Sequence, residues 1–354
     1  MEPAATDPTG DALAAAAAAS SLVFLGTGCS GALPDARCLI QPSAPPCTVC
    51  SQALSLPPDR NPNYRCNTSL LIDYCHDNDT HKYILIAVGK TFREQVLRWF
   101  VHHKVPSVDS IILTHDHADA VLGLVDVWVV QSSNHRNDVD DQVAVFLTQF
   151  TMDSVAARFP YFVKRELEEG DETARLDWTI IESDVNKPFV SSGLEFVPLP
   201  VMHGEGYVCL GFLFGRKARV AYLSDVSRIL PRTEHTISKS GAGQLDLLIL
   251  ETNQLHGVGN GRSCHLTLID ADSYAIKRIC LKKALLIGMN HEFEHHRENR
   301  MLTEWSHRVS TDGGLGRHWN CAVMQRAEDY YSGIQAYNNA WIQRTKDGSS
   351  IWYK

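Results

Sequence analysis

The chain alternates short apolar runs with polar interruptions, and the runs have the length and β-branched content of buried strands. Leu22-Val23-Phe24-Leu25 ends in Gly26-Thr27-Gly28-Cys29-Ser30-Gly31, where glycines permit a tight turn. Residues 67–73 and 83–89 read as a strand pair across the polar linker 75–81. Helical spacing of Phe92, Val96, Leu97 and Phe100 predicts a helix over 91–103, with Thr91 as its N-cap. It leads into Ile111-Ile112-Leu113, which breaks abruptly into His115-Asp116-His117-Ala118-Asp119. A helix over 118–132, a polar loop over 133–141 and a strand over 143–147 follow.

The second half repeats one device. Residues 194–201 alternate and run into Met202-His203-Gly204-Glu205, so a strand again presents a histidine at its tip. Residues 207–215 and 218–225 predict a hairpin whose second strand ends in Asp225. Residues 245–251 form another buried strand before a Gly-rich loop that holds His256 and His265. The apolar run 283–289 leads to His291. A lone histidine or aspartate at a strand end is more often a hydrogen-bonded loop residue. Four strands that all end in such residues are harder to assign to chance. Four histidines (His115, His117, His203, His291) with Asp119 and Asp225 suit two divalent ions held by mixed nitrogen and oxygen donors.

Composition narrows the setting. A chain of 354 residues that is 44% hydrophobic can bury a large core, and we expect one catalytic domain over 21–303. The net charge of -8 argues against a nucleic-acid partner. No apolar run approaches the ~20 residues of a membrane span. Residues 1–20 are Ala-rich, carry acids but no Lys or Arg, and read as a disordered tail without targeting features. Ten cysteines then point to a reducing, cytoplasmic compartment in which disulfides are not expected. Cys47-Thr48-Val49-Cys50, with Cys38 nine residues before Cys47, has zinc-knuckle spacing, against the alternative of buried thiols in a loop over 38–50. The glycines after Leu25 lack the full fingerprint and following helix of a phosphate-binding loop.

At THDHADAVLGL, with LGTGCS, PLPVMHG, AYLSD and GMNH in order, the chain resembles the metallo-β-lactamase superfamily over about residues 21–296. Its C-x-x-C loop after the GTG strand resembles the cyclic-phosphate phosphodiesterases of that superfamily. The resemblance implies a four-layer αβ/βα sandwich and a metal-dependent hydrolase. It implies that His115, His117 and His203 hold one ion, that Asp119 and His291 hold a second, and that Asp225 bridges them. The ions would be Zn or Mn, and a hydroxide between them would attack phosphorus. A structural Zn would sit on Cys38, Cys47, Cys50 and His295, with Cys29 and His296 as neighbouring competitors. His265 would be the catalytic general acid or phosphate binder, beside Asp119 and Asp225, and His256 the alternative donor.

Two positions depart from that pattern. Ala120 stands where the superfamily usually has a histidine for the second ion, so that ion would be held more weakly. Ala87 stands where members carry an aspartate that supports the ligand histidines. Beyond Glu304 no apolar run would close a sheet, and 304–354 reads as an irregular extension. The expected substrate is a small phosphodiester, cyclic by the resemblance. The alternatives are a nuclease of the tRNA 3′-end processing type and a degenerate metal-binding protein with little turnover. The sequence does not distinguish a monomer from a homodimer.

Overall fold

The predicted strands are apolar on both faces because both faces are covered. In β1 (Ser20–Gly26), Leu22 and Phe24 turn to one side and Val23 and Leu25 to the other, and the two sets belong to different buried clusters. The computed structural model of the chain describes residues 20–57, 60–131, 142–163, 175–215, 218–254, 265–266, 279, 281–311, 320–323, 334–337, 340–344 and 350–352, with side chains described through Glu304. The tail 1–19, the loop 133–141 and His256 lie outside these residues.

Among the described residues, the strands fall into two sheets. The first takes β1, β2 (Ser69–Cys75), β3 (His81–Ile86), β4 (Ser110–Ile112), β5 (Val143–Leu147) and β6 (Leu176–Ile180) in chain order, with β3 to β6 parallel. The second contains β7 (Phe189–Ser191), β8 (Leu194–Met202), β9 (Val208–Phe214), β10 (Val220–Leu223), β11 (Arg228–Ile229), β12 (Leu245–Glu251) and β13 (Leu281–Ile287), and it is extended by β14 (Asn320–Val323). Its β8, β9 and β10 are antiparallel, as the hairpin prediction requires, whereas β10, β12, β13 and β14 run parallel.

Three buried clusters define the layers. Ile72 and Ile86 of the first sheet meet Phe196, Phe212, Tyr222 and Ile249 of the second between the sheets. Trp99, Phe100, Val121 and Leu124 pack helical segments on the outer face of the first sheet. Ile237, Phe293 and Leu302 do the same on the second. The result is the expected four-layer αβ/βα sandwich.

Local structure departs from expectation in three places. Thr91 takes the N-cap position of the helix Phe92–Gln95, as expected, but its side chain makes no capping bond. Its hydroxyl instead accepts from the Asn67 N–H at 2.9 Å, so the residue fastens the start of β2. The predicted helix over 118–132 is α-helical only over Ala118–Val121 and tightens to a 3-10 helix over Leu122–Val130. The third departure is the C-terminal segment. The helix His295–Thr311 is followed by β14 on the second sheet and by β15 (Ile334–Tyr337), β16 (Ala340–Arg344) and β17 (Ser350–Trp352), which extend the first sheet from β1. These strands are short, add on outside β13 and β1, and interleave Asn, Gln and Arg, so they lack the long apolar run of the central strands.

Candidate metal centre

Three strands deliver donors to one place. After β4 the chain presents His115 and His117, after β8 it presents His203, and after β10 it presents Asp225. The donor atoms of His115, His117 and His203 lie within 4.8 Å of one another, and so do those of His203, Asp225 and His265. His203 thus belongs to both groups. Its Nε2 is 3.2 Å from His117 Nδ1, and Asp225 Oδ1 is 4.0 Å from His115 Nε2, so Asp225 lies beside both groups.

Each donor is held by the protein. His115 is 1% exposed, and its Nδ1 pairs with Thr114 Oγ1 at 2.9 Å. Burial lowers the His115 pKa to about 4, so the ring is neutral and fit to bind a metal. The His117 ring is exposed and stacks on Tyr207, with centroids 5.0 Å apart and planes 16° apart. The Asp116 side chain points elsewhere. It accepts from Tyr207 Oη, from Ser154 Oγ at 2.5 Å and from Arg158 Nη2 at 3.0 Å. Burial would raise its pKa, but these bonds and the Arg158 charge outweigh burial and hold it low.

His265 is held by a residue that the sequence did not single out. Glu251, at the end of β12, accepts from His265 Nδ1 at 2.5 Å and from the Val226 N–H at 2.6 Å. Burial opposes a charge on His265, yet the Glu251 bond and charge win and raise its pKa to about 9. A carboxylate behind a histidine orients the ring and strengthens it as a ligand. The signal available was a glutamate closing a buried strand, and it was passed over because the neighbouring strands end in histidine or aspartate. Asp225 itself is pushed up to about 7 by burial and then by the nearby Asp119 charge. A carboxyl group whose ionisation is opposed by burial and by a neighbouring negative charge is in an environment that a divalent cation would relieve. The donors therefore fit metal ions, with Asp119 close enough for its charge to act on Asp225, His115 and His265.

His291 is not at this centre, which corrects its expected assignment to the second ion. β13 ends at Ile287, and Gly288, at φ +76°, turns the chain away. The N–H groups of Gly288 and Met289 then donate to Thr27 O, which leads the segment along the first turn of the chain. His291 Nδ1 arrives 3.0 Å from Cys38 Sγ, 3.7 Å from Cys47 Sγ and 3.8 Å from Cys50 Sγ. These four residues form a second candidate metal site, of mixed thiol and imidazole donors. Burial pushes the Cys50 thiol up to about 12, so metal binding there must displace protons.

His295, expected in the thiol site, is outside that group among the described residues. It opens the helix His295–Thr311, and its N–H donates to Asn63 Oδ1 at 3.0 Å. His291 takes the place expected of His295 because β13 ends four residues before it, and His295 joins neither group of the histidine centre. Ala87 and Ala120 are both buried under the centre. Ala120 N–H donates to His117 O at 3.0 Å, and Ala87 adopts φ +63°, a strained angle for a residue with a Cβ.

Two facing sheets whose strand tips gather histidines and a carboxylate define a metallohydrolase-type sandwich. The chain belongs to the metallo-β-lactamase superfamily: the model of the Beta-lactamase superfamily domain matches residues 70–289. Its fold is similar to that of a diphosphatase from the PhnP family (23% identity, 89% of this chain and 96% of that one, TM-score 0.63). It is also similar to PqqB from Methylobacterium extorquens (15% identity, 86% and 98% covered, TM-score 0.58). A long-form RNase Z from yeast shares the fold at 15% identity, with 88% of this chain and 41% of that one covered and a TM-score of 0.56. A curated protein of Porphyromonas gingivalis (strain ATCC BAA-308 / W83), an octanoyltransferase, is 30% identical over 205 residues. That match covers 58% of this chain and 35% of the relative, so the chain spans about a third of the length of the curated relative it matches. No helix among the described residues is long and apolar enough to cross a membrane.

Proposed function

We propose that the chain is a metal-dependent phosphodiesterase acting on small phosphodiesters, cyclic ones included. The observation that carries this reading is the pair of overlapping donor groups that share His203, which offers side-by-side places for two ions. His115, His117 and His203 would hold the first ion, and Asp225 and His265, with Asp119, the second. Zinc or manganese bound there would supply Lewis-acid activation of water and neutralise charge on the phosphoryl oxygens.

The chain's own residues then have distinct tasks. Thr114 and Tyr207 fix the His115 and His117 rings. Glu251 orients His265 and, with its negative charge, favours a strong bond from that ring. On this reading His265 would be a ligand, in the role first assigned to His291, in preference to a general acid. Cys38, Cys47, Cys50 and His291 would hold a structural zinc.

The nuclease alternative is disfavoured by the net charge of -8. Acyl transfer is not carried over from the Porphyromonas relative, because most of that chain lies outside the match. One observation favours a second reading, a metal-binding protein with weak turnover. Ala120 is 2% exposed beside His117 and brings no donor to the second ion.

The deciding experiment is hydrolysis of bis-p-nitrophenyl phosphate, of five-membered cyclic phosphates and of a tRNA precursor by protein reloaded with Mn²⁺, Zn²⁺ or Ni²⁺. We expect turnover of the two small diesters above a His117→Ala control and none of the tRNA. Turnover indistinguishable from the control with every metal leaves the weak-turnover reading, and cleavage of the tRNA alone selects the nuclease.

A further inference from the structure

Arg65 is 4% exposed, and its guanidinium is surrounded by neutral oxygens. Nε donates to Pro62 O at 3.3 Å, Nη1 to Asn290 O at 3.1 Å, and Nη2 to Asn63 Oδ1 at 3.0 Å and to Phe293 O at 2.8 Å. Among the described residues no carboxylate lies within ion-pair distance of it. Burial lowers its pKa only to about 10, so it is charged at neutral pH. A buried cation without a counter-ion is costly, and such a residue is retained where something nearby offsets its charge.

The groups whose negative charge would favour the cation are Cys29, Glu294, Cys50 and Glu298. Glu294 accepts from Asn63 Nδ2 and from the N–H groups of His296 and Arg297, bonds that outweigh burial, hold its pKa low and keep it ionised, while Glu298 is paired with Arg297. Burial raises the pKa of Cys29, which keeps it a neutral thiol. Cys50 is the one of these groups that belongs to the thiol site. Three thiolates and a neutral imidazole around a divalent ion carry one net negative charge.

The same guanidinium braces the donors mechanically. Its bonds to Asn290 O and Phe293 O bracket His291 on both sides. The Arg65 backbone pairs with Leu33 on the approach to Cys38, at 2.8 and 3.2 Å. Asn63, which accepts from Arg65, donates to Gln52 Oε1 on the helix Thr48–Ala53 that carries Cys50.

We propose that Arg65 is the counter-charge and positioning residue of the Cys38, Cys47, Cys50 and His291 site, holding His291 among the cysteines and offsetting the charge of the loaded site. The proposal rests on reading that site as a metal holder. Arg65 and the ion then stabilise each other, and each is less stable alone.

The test strips the full-length protein of metal and titrates it with Co²⁺, following the thiolate-to-cobalt charge-transfer band, which reports on this site and not on the histidine centre. The variants are Arg65→Met and Arg65→Lys. We expect Arg65→Met to bind Co²⁺ at least tenfold more weakly than the native chain, and Arg65→Lys to stay within about threefold of native because the charge remains. Arg65→Met should lower the melting temperature of the metal-loaded chain more than that of the metal-free chain, because the counter-charge acts only with the ion bound; an equal loss in both is what a residue serving only as a staple would give and would overturn the counter-charge role. Native Co²⁺ affinity in Arg65→Met overturns the proposal, as does a Lys variant weakened more than tenfold. If Arg65→Met does not fold, the Lys variant decides by the same limits. A native chain that gives no charge-transfer band removes the metal reading itself, an outcome distinct from the others.

Discussion

Three donors of the histidine centre lie within three residues of strand ends, His115 after β4, His203 after β8 and Asp225 after β10. The donors of the thiol site come from elsewhere. Cys38 lies in the helix Ala36–Ile40, Cys47 sits just before the helix Thr48–Ala53, and His291 is four residues beyond β13. In the first region the direction of each side chain follows from strand alternation and from sheets that pack rigidly. In the second it follows from hydrogen bonds between residues more than 200 positions apart, such as Arg65 to Asn290 and Asn63 to Glu294. Strand geometry is a local property of sequence, whereas a stitched loop is not.

The largest expected effect tests whether the two regions are chemically separate. His203→Ala removes the donor common to both groups of the centre, so both of its ions should be lost while the thiol site keeps its own. Metal analysis should find one remaining equivalent, and diesterase activity should fall by about a thousandfold or more. Loss of all metal would show that the regions are not separate.

His291→Ala and His295→Ala then test which histidine serves the thiols. His291→Ala should lose the structural ion and melt about 5–10 °C lower, as expected if several kcal/mol of binding energy is withdrawn from a chain of this size. His295→Ala should retain that ion, as measured by metal content and by thiolate absorption of the Co²⁺ form. The reverse result would restore the assignment made from resemblance.

Glu251→Gln sharpens the picture of the centre alone. It keeps the shape but loses the charge behind His265, and it should weaken metal affinity or activity by about 10–100-fold. Isothermal titration with Mn²⁺ after metal removal measures it, and an unchanged affinity would reduce Glu251 to a packing residue.

The smallest effect is a pH dependence of the metal-free protein. His265 keeps its proton in the folded state to about 9, above the unfolded value of about 6.5. Its contribution is therefore complete below about 6.5 and lost as the pH rises to about 9, and the melting temperature should fall by a few degrees over that window. Between about 4 and 7 the raised Asp225 also removes stability as the pH rises, while the lowered His115 adds it, so the slope there should be shallow. Saturating divalent metal should flatten the higher window, and a slope that persists unchanged would dissociate His265 from the ions.

These differences explain what was legible. The alternation of 194–201 and the apolar run 245–251 fix which faces are buried, so β8, β12 and the layered architecture could be read directly. His115, His117, His203 and Asp225 were readable for the same reason. His291 was misplaced because the apolar run was carried to the histidine, whereas β13 stops at Ile287 and a left-handed Gly288 redirects the chain. Glu251 was missed because its role depends on His265, fourteen residues away in sequence across a Gly-rich loop. The C-terminal strands carry no such signal, because each is only three to five residues long and mixes polar with apolar side chains, so their pairing rests on backbone groups.

Gly288 joins what the comparison separates. A Cβ at this position would lie 2.7 Å from Glu251 Cγ, and Gly288 O accepts from Asn253 Nδ2 at 3.1 Å, so the glycine backbone rests directly on the residue that orients His265. Three residues further on, His291 is anchored among the cysteines. One short stretch of backbone is therefore fastened at one end by the thiol site and bears on Glu251 at the other. A displacement of His291 would have only a few residues of backbone to cross before it bore on Glu251, and the cysteine loop would serve as the footing for the alignment of His265.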